Sequence, residues 1–324
     1  MKKFLTLALC ILIAMSALLV GCGETETAAV KFGAGVYTST PTVADATADK
    51  DGSGKIDVTV AAVTVDADGK IVACALDTAS NTVSFTADGK AVANSEFKTK
   101  YELGADYNMV AYGGAVKEWF EQADAFEAVV VGKTLDEVKA LVAEGNKGTD
   151  EVINAGCTIM INEFVGAIEE AYNAAAAEVS ADAALKVNIA TEQTLADATE
   201  EKDGSNKISV NIFAAAVDAD AKVLAASSDC VEVTFTFTTE GVATLDTSKA
   251  VASKREQGAN YGMVAYGGAA KEWFEQANAF DAACIGKTAA EIAGLMGEDG
   301  KGVADLQTAG CTIYVTGFVK AATK

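Results

Sequence analysis

The chain has 324 residues, half of them hydrophobic, with 46 acidic side chains against 25 basic ones, a formal net charge of −21 and no histidine. Without imidazole there can be no Ser-His or Cys-His nucleophile pair, no His-ligated zinc and no histidine-ligated haem. The acidic excess, with no basic stripe to offset it, argues against nucleic acid and against anionic headgroup surfaces as partners, and reads first as a soluble, self-repelling exterior.

In chain order, the first feature is a targeting segment. Lys2 and Lys3 precede an apolar run from Phe4 to Val20, too short and too one-sidedly flanked for a membrane span. The run ends in Leu19-Val20-Gly21-Cys22, which resembles a bacterial lipoprotein signal, in which the cysteine is lipidated and becomes the first residue. An ordinary secretory signal that contains a cysteine is the alternative. Residues 1–21 are therefore expected to be removed, Cys22 to carry lipid and residues 22–32 to form a tether. Each buried acyl methylene adds about 0.8 kcal/mol to attachment, so several chains would hold the protein to its membrane on the extracytoplasmic side. Of the seven cysteines, Cys74, Cys157, Cys230, Cys284 and Cys311 remain. They form an odd set without a Cys-x-x-Cys pair, read as small buried side chains rather than a metal or disulfide framework.

The rest of the chain is written twice. Met109 to Phe126 and Met263 to Phe280 differ at two of eighteen positions, Val116 against Ala270 and Asp124 against Asn278. The offset of 154 persists to Asn154–Phe164 and Thr308–Phe318, which marks a duplicated domain and not a short structural period. The expected organisation is a first domain at 33–177, a linker at 178–186 and a second domain at 187–324.

Each copy opens with strands. Ile56 to Val60 alternates apolar and polar residues, Asp66-Ala67-Asp68-Gly69 signals a turn, and Lys70 to Cys74 restarts a strand. The second copy gives Ile208 to Ile212, a turn at Asp218 to Ala221, then Lys222 to Leu224 and an alternating Val231 to Phe237. Asp49 to Asp57 begins like a calcium loop, but Val60 stands where a bidentate glutamate is needed, so a strand-connecting turn is the expectation. After the Gly113-Gly114 turn, Val116, Trp119, Phe120, Ala123 and Phe126 share one face of a predicted helix. Thr134 to Leu141 predicts a second helix, with Thr134 as N-cap and Glu137 closing a capping box. A short strand at Cys157 to Ile161 and a helix from Asn162 to about Ala177 finish the copy. The fold class is α+β: two similar domains, each an antiparallel β-sheet packed with helices.

The Asp68-Gly69-Lys70-Ile71 turn and the closing strings Asn154-Ala155-Gly156-Cys157-Thr158 and Thr308-Ala309-Gly310-Cys311-Thr312, each leading into a last helix, resemble FMN-binding domains. That family includes the C-subunit of sodium-pumping quinone reductase, the related Rnf subunit and flavin-carrying surface lipoproteins. In it a flavin transferase joins FMN through a phosphoester to the threonine ending an Asp-x-x-Ser-Gly-Ala-Thr motif. The resemblance implies covalent FMN at Thr158 and Thr312, with Gly156, Cys157, Gly310 and Cys311 beside it, Asp150 and Asp305 upstream, and cysteine where the family has alanine. Glycine lets backbone approach a phosphate, and a hydroxyl is required for the ester. Tyr112 and Tyr266, with Tyr107, Tyr261, Trp119 and Trp273, are candidates to flank the flavin ring; plain core packing is the competing reading, above all for the tryptophans. The expected role is electron transfer from a membrane quinone reductase to an extracellular acceptor, with no haem and no metal. A cofactor-free binding or structural lipoprotein of the same fold is the alternative. No nucleophile and base stand at useful spacing for a hydrolase or transferase.

Overall fold

The computed structural model describes residues 29–324; the segment 1–21, the lipidation candidate Cys22 and the tether as far as residue 28 lie outside the described residues. In chain order, the elements of the first copy are β1 (Ala29–Thr38), β2 (Thr42–Ala44), β3 (Gly52–Val65), β4 (Ile71–Phe85), β5 (Ala91–Val92), α1 (Lys100–Leu103), α2 (Trp119–Val130), α3 (Leu135–Lys139), α4 (Asp150–Ala155), α5 (Asn162–Asn173) and β6 (Ala177–Ser180). There follow β7 (Ala184–Ala196), β8 (Gly204–Val217), β9 (Val223–Phe237), α6 (Lys254–Gln257), α7 (Trp273–Cys284), α8 (Ala289–Ala293), α9 (Ala304–Thr308) and α10 (Thr316–Ala322). The protein is mixed α and β, with antiparallel sheets packed against helices. One sheet runs β5-β4-β3-β1-β6, with β2 also paired to β3, and the other runs β7-β8-β9.

Local rules explain the hairpins. The Asp66 carboxylate accepts from the Asp68 and Lys70 amides at 2.9 and 2.8 Å, and Asp218 does the same for Asp220 and Lys222. This Asx geometry fixes the turn. Its last position is left-handed, which glycine takes freely at Gly69 and which Ala221 adopts in the second copy with φ 59°.

The sheets lie face to face. Ile56, Val58 and Val60 of β3 and Ala79 and Val83 of β4 share one core with Ile208, Val210 and Ile212 of β8 and Val231, Val233 and Phe235 of β9. The opposite face of β3 presents Ala61, Val63 and Val65 to the helices, where Trp119, Phe126 and Phe164 form the centre. On the other sheet, Phe213, Ala215 and Val217 meet Trp273, Phe280 and Phe318. Helix, sheet, sheet and helix therefore stack as four layers. Both faces of the central strands are covered, which is why Val58–Val65 and Val210–Val217 are buried without a break. At about 1.5–3 kcal/mol for each fully buried aliphatic side chain, separating the sheets costs more than the roughly 5–15 kcal/mol that stabilises an ordinary domain. The rings of Phe85 and Phe237, 4.5 Å apart and nearly parallel, close one end.

Several boundaries differ from the sequence expectation. Residues 29–32, read as tether, already belong to β1. The span 178–186, read as a linker, is occupied by β6, which pairs with β1, and by the start of β7. Cys157 to Ile161 is not a strand; only Met160 makes a bridge, to Lys147. Helix α5 ends at Asn173, because the chain must turn at Ala174 to enter β6. Helix α2 starts at Trp119, so Val116 matches the helical period yet lies outside the helix and is 96 % exposed. The box at Thr134 forms as expected, with Glu137 reaching back to the Thr134 amide at 2.8 Å. Among the described residues no helix is long and apolar enough to cross a membrane.

Candidate functional site

The two segments most alike between the copies are parts of one structural unit. Glu118 is the N-cap of α2, and its carboxylate gathers the preceding loop by accepting from the Met109 and Val110 amides at 2.9 and 3.2 Å. One turn on, Gln122 is buried, and its Oε1 accepts from both the amide (2.9 Å) and the hydroxyl (3.0 Å) of Thr158. The Gln122 Nε2 donates to the Lys117 carbonyl at 3.0 Å. In the second copy Glu272 gathers Met263 and Val264, Gln276 holds the amide and hydroxyl of Thr312 at 2.9 and 3.0 Å, and its Nε2 donates to Lys271. The Lys-Glu-Trp-Phe-Glu-Gln string thus fastens the Gly-Cys-Thr string in each copy.

Gly156 and Gly310 turn the chain in the left-handed region, with φ 110° and 105°. The Lys117 and Lys271 ammonium groups lie over these glycines, 2.2 and 2.1 Å from where a Cβ would stand, and the left-handed φ is what favours glycine at both positions. The Lys271 ammonium also donates to the Ala309 carbonyl at 3.2 Å. Thr158 and Thr312 are exposed, and the cysteines before them are fully buried. Burial pushes both the Cys157 and the Cys311 thiols up to about 11, so neither is a nucleophile or a ready metal ligand at neutral pH. Asp150 and Asp305 lie exposed in the first turns of α4 and α9.

Beside Thr312 opens a cavity of about 510 Å³, whose walls include Tyr261, Trp273, Tyr314, Lys254, Asn211 and Gly317. The Lys254 ammonium lies over the Tyr261 and Trp273 rings at 5.0 and 5.4 Å and pairs with Glu232 at 3.2 Å. The Lys301 ammonium covers Tyr314 at 5.5 Å. Burial works against the charge on Lys254, but the surrounding Cys230, Glu232 and Tyr261 hold its pKa above the ordinary lysine value.

Tyr112 and Tyr266 are not among the wall residues. They stand 88 % and 91 % exposed on the loops ahead of α2 and α7, because the Glu118 and Glu272 carboxylates pull the start of each loop back and leave its tip in solvent. The tryptophans are core residues, each edge-on to the aromatic ring of the last helix at 5.6 Å, and Trp273 also lines the cavity.

In the first copy the corresponding space is differently furnished. Lys100 lies over Tyr107 and Trp119 at 5.4 and 5.3 Å, as Lys254 does over its pair. Where the second copy has Gly317, the first has Glu163, half-buried, with its carboxylate 3.4 Å from the donating Thr59 hydroxyl. Burial and the nearby Asp57 raise the Glu163 carboxyl above its usual range, against the pull of Lys100. Lys100 in turn is lowered by burial, with Asp57 and Glu163 opposing.

As a test of fit, the second-copy residues suit a flat, phosphate-bearing group. The cavity has the size of small-molecule sites, which span about 300–1,000 Å³. Its walls combine the rings of Tyr261, Trp273, Tyr314 and Phe318 with the charged side chains of Lys254, Lys301, Glu192 and Glu232, an exposed hydroxyl stands at the rim, and a lysine sits over the adjoining glycine. Among the described residues no cluster of three or more Cys, Asp or Glu side chains is arranged to hold a metal ion. Sequence reasoning missed Gln122, Gln276, Lys117, Lys271 and Lys254; the near-identity of Lys-Glu-Trp-Phe-Glu-Gln in the two copies was the available signal. No family model, no curated protein and no solved structure matches this chain.

Proposed function

We propose that this chain is an exported lipoprotein, anchored through Cys22, whose two copies are similar FMN-binding-like domains, and that it carries flavin for electron transfer at the cell surface. The observation that supports this most is the exposed Thr312 hydroxyl at the rim of a cavity walled in part by aromatic rings, next to a left-handed glycine under a lysine. In this reading Thr312 and Thr158 offer the ester oxygen, Gly310 and Gly156 allow close backbone approach, and Lys271 and Lys117 balance the phosphate charge. Tyr261, Trp273 and Tyr314 would flank the ring, and Cys311 and Cys157 pack behind the attachment point. Redox chemistry belongs to the flavin, while the protein sets its orientation and surroundings. An ester oxygen carries no proton, so Thr312 would give up its bond to Gln276. Rotation about χ1 allows this, because the amide keeps its own bond to the same oxygen. A membrane quinone reductase as donor and an extracellular acceptor complete the pathway; the acidic surface speaks against nucleic acid.

Intact-mass spectrometry of the exported protein, made together with a flavin transferase, tests the reading. A mass increment of one flavin phosphate per loaded copy, and a yellow colour that survives denaturation, are expected; Thr158→Val with Thr312→Val should remove both. An unmodified, colourless and folded protein would instead favour a cofactor-free binding lipoprotein. That second reading draws support from the Gln122 and Gln276 bonds, which already give the two threonines a structural task.

A further inference from the structure

We infer that the two copies are not equivalent as flavin sites: the second copy accepts the ring, and Glu163 closes the first. This inference rests on the flavin reading above and adds to it which copy is loaded and which residue decides.

The second-copy cavity and the corresponding region of the first copy share part of their frame. Lys100 and Lys254 sit over matching Tyr–Trp pairs, and Gln122 and Gln276 hold matching threonines. They differ at several wall positions, Asp57 against Ser209, Thr78 against Cys230, Ser80 against Glu232 and Met160 against Tyr314, and at one pair that faces from strand to last helix. In the second copy Gly317 has no side chain, and Asn211 packs directly over it, so that even a Cβ there would fall 2.2 Å from the Asn211 side chain. Both residues line the open cavity. In the first copy the strand position matching Asn211, seven residues before the hairpin turn, is the smaller Thr59. Its hydroxyl lies 2.9 Å from that of Thr78, and it donates to Glu163. The Glu163 carboxylate thus reaches into the neighbourhood of Thr59, Asp57 and Lys100, whose counterparts Asn211, Ser209 and Lys254 all line the second-copy cavity. A ring entering the first copy would have to displace a half-buried carboxylate. It would also leave Lys100 without that counter-charge, whereas Lys254 keeps its ion pair with Glu232 in the cavity wall.

Loading forms the Thr312 Oγ1–P bond and breaks the pyrophosphate P–O bond of a flavin dinucleotide. The nucleoside monophosphate leaves with the hydroxyl proton, and no electrons are exchanged.

The test is peptide-resolved mass spectrometry of the full chain exported alongside a flavin transferase, joined to FMN titration of the unloaded protein by tryptophan fluorescence. The chain has two tryptophans, one per copy, so Trp119→Phe reports on the second copy and Trp273→Phe on the first. We expect the flavin increment on the Thr312 peptide alone, and saturable quenching in Trp119→Phe alone. Exchanging the facing pairs keeps each pocket packed. Asn211→Thr with Gly317→Glu should weaken FMN by at least about tenfold and strip the Thr312 peptide, whereas Thr59→Asn with Glu163→Gly should bring flavin to Thr158. Circular dichroism checks that both exchanges fold. Flavin on Thr158 in the unaltered chain, or quenching of Trp119, overturns the asymmetry and leaves the flavin reading standing. An exchange variant that folds but does not shift the loading overturns the role of Glu163. Quenching of Trp273 without added mass keeps the asymmetry and removes the ester, while no mass and no quenching at either copy overturns the flavin reading and this inference with it.

Discussion

The corner where α1 meets α2 and the corner where α6 meets α7 occupy corresponding places in the two copies and solve the same burial problem in different ways. In the first, Glu127 accepts from the Leu76 amide at 2.7 Å, Tyr101 donates its hydroxyl to Asp124, and Asp77 accepts from the Thr78 and Tyr101 amides. In the second, Arg255, the only arginine of the chain, stands at the position of Tyr101. It donates to Asp281 at 2.5 Å, Asn278 at 2.7 Å and the Ser228 carbonyl at 2.6 Å. Burial raises Glu127 to about 8, whereas the more deeply buried Asp281 rises only to about 6, because Arg255 opposes the effect. At Asp281 the matched cation holds the rise in check, whereas Asp229, buried beside the same arginine, is still raised because burial outweighs its hydrogen bonds and that charge. Both corners open onto the other copy, one into a cleft of about 490 Å³ that includes Leu185 to Ile189, the other into one of about 400 Å³ that includes Gly33 and Gly35.

The contrast should be broken most severely by Arg255→Met. It leaves Asp281 and Asp229 buried without their cation, and a loss of about 3–5 kcal/mol in denaturant unfolding at pH 7 is expected, smaller at pH 4 where the acids are protonated. Tyr101→Phe, its counterpart, leaves no buried charge unpaired and should cost far less. Next come Gln122→Leu, which removes three hydrogen bonds, two of them to Thr158, and Gln276→Leu, which removes four, two of them to Thr312. About 1–3 kcal/mol is expected for each, with hydrogen exchange speeding at the Thr158 amide in one variant and the Thr312 amide in the other.

Glu127→Gln sharpens the electrostatic side of the comparison. The ordinary value of the carboxyl is 4.5 and its folded value about 8, so between these pH values the folded chain keeps a proton that the unfolded chain has released. Its stabilising contribution is complete below pH 4.5 and is lost as pH rises through 8. Glutamine retains the acceptor for the Leu76 amide and has no proton to lose. The variant should therefore flatten the decline and be more stable at pH 8 by on the order of 1 kcal/mol, read from melting curves across pH. The smallest and most symmetric effect is at the caps of α3 and α8. Thr134→Ala and Thr288→Ala each lose a capping box and about 1 kcal/mol in thermal melts.

What could be read from the residues followed the range of the interactions. The Asp66 and Asp218 turns, the Thr134 box and the body of α5 depend on neighbours within four positions, and all were legible. The loop before α2 was misread because Val116 happens to fit the helical period, while the true start is set by Glu118, an unusual N-cap whose partners are Met109 and Val110. Long-range pairings were hidden for a simpler reason. The partners of Ile56 and Val58 stand about 150 residues away on β8 and β9, and nothing in an alternating strand says which sheet will cover it. The glycine strings were visible, but not the lysines above them or the glutamines beneath. The Glu163–Gly317 difference was visible in the aligned copies and acquired meaning only once Thr59 and Asn211 were seen to face it.

The inner face shared by β3, β4, β8 and β9 makes this duplication inseparable. A half-length polypeptide would expose Ile56, Val58, Val60 and Val83 to water with nothing to cover them. Trimming this chain to a single working half would therefore yield a sticky fragment and not a smaller version of the whole.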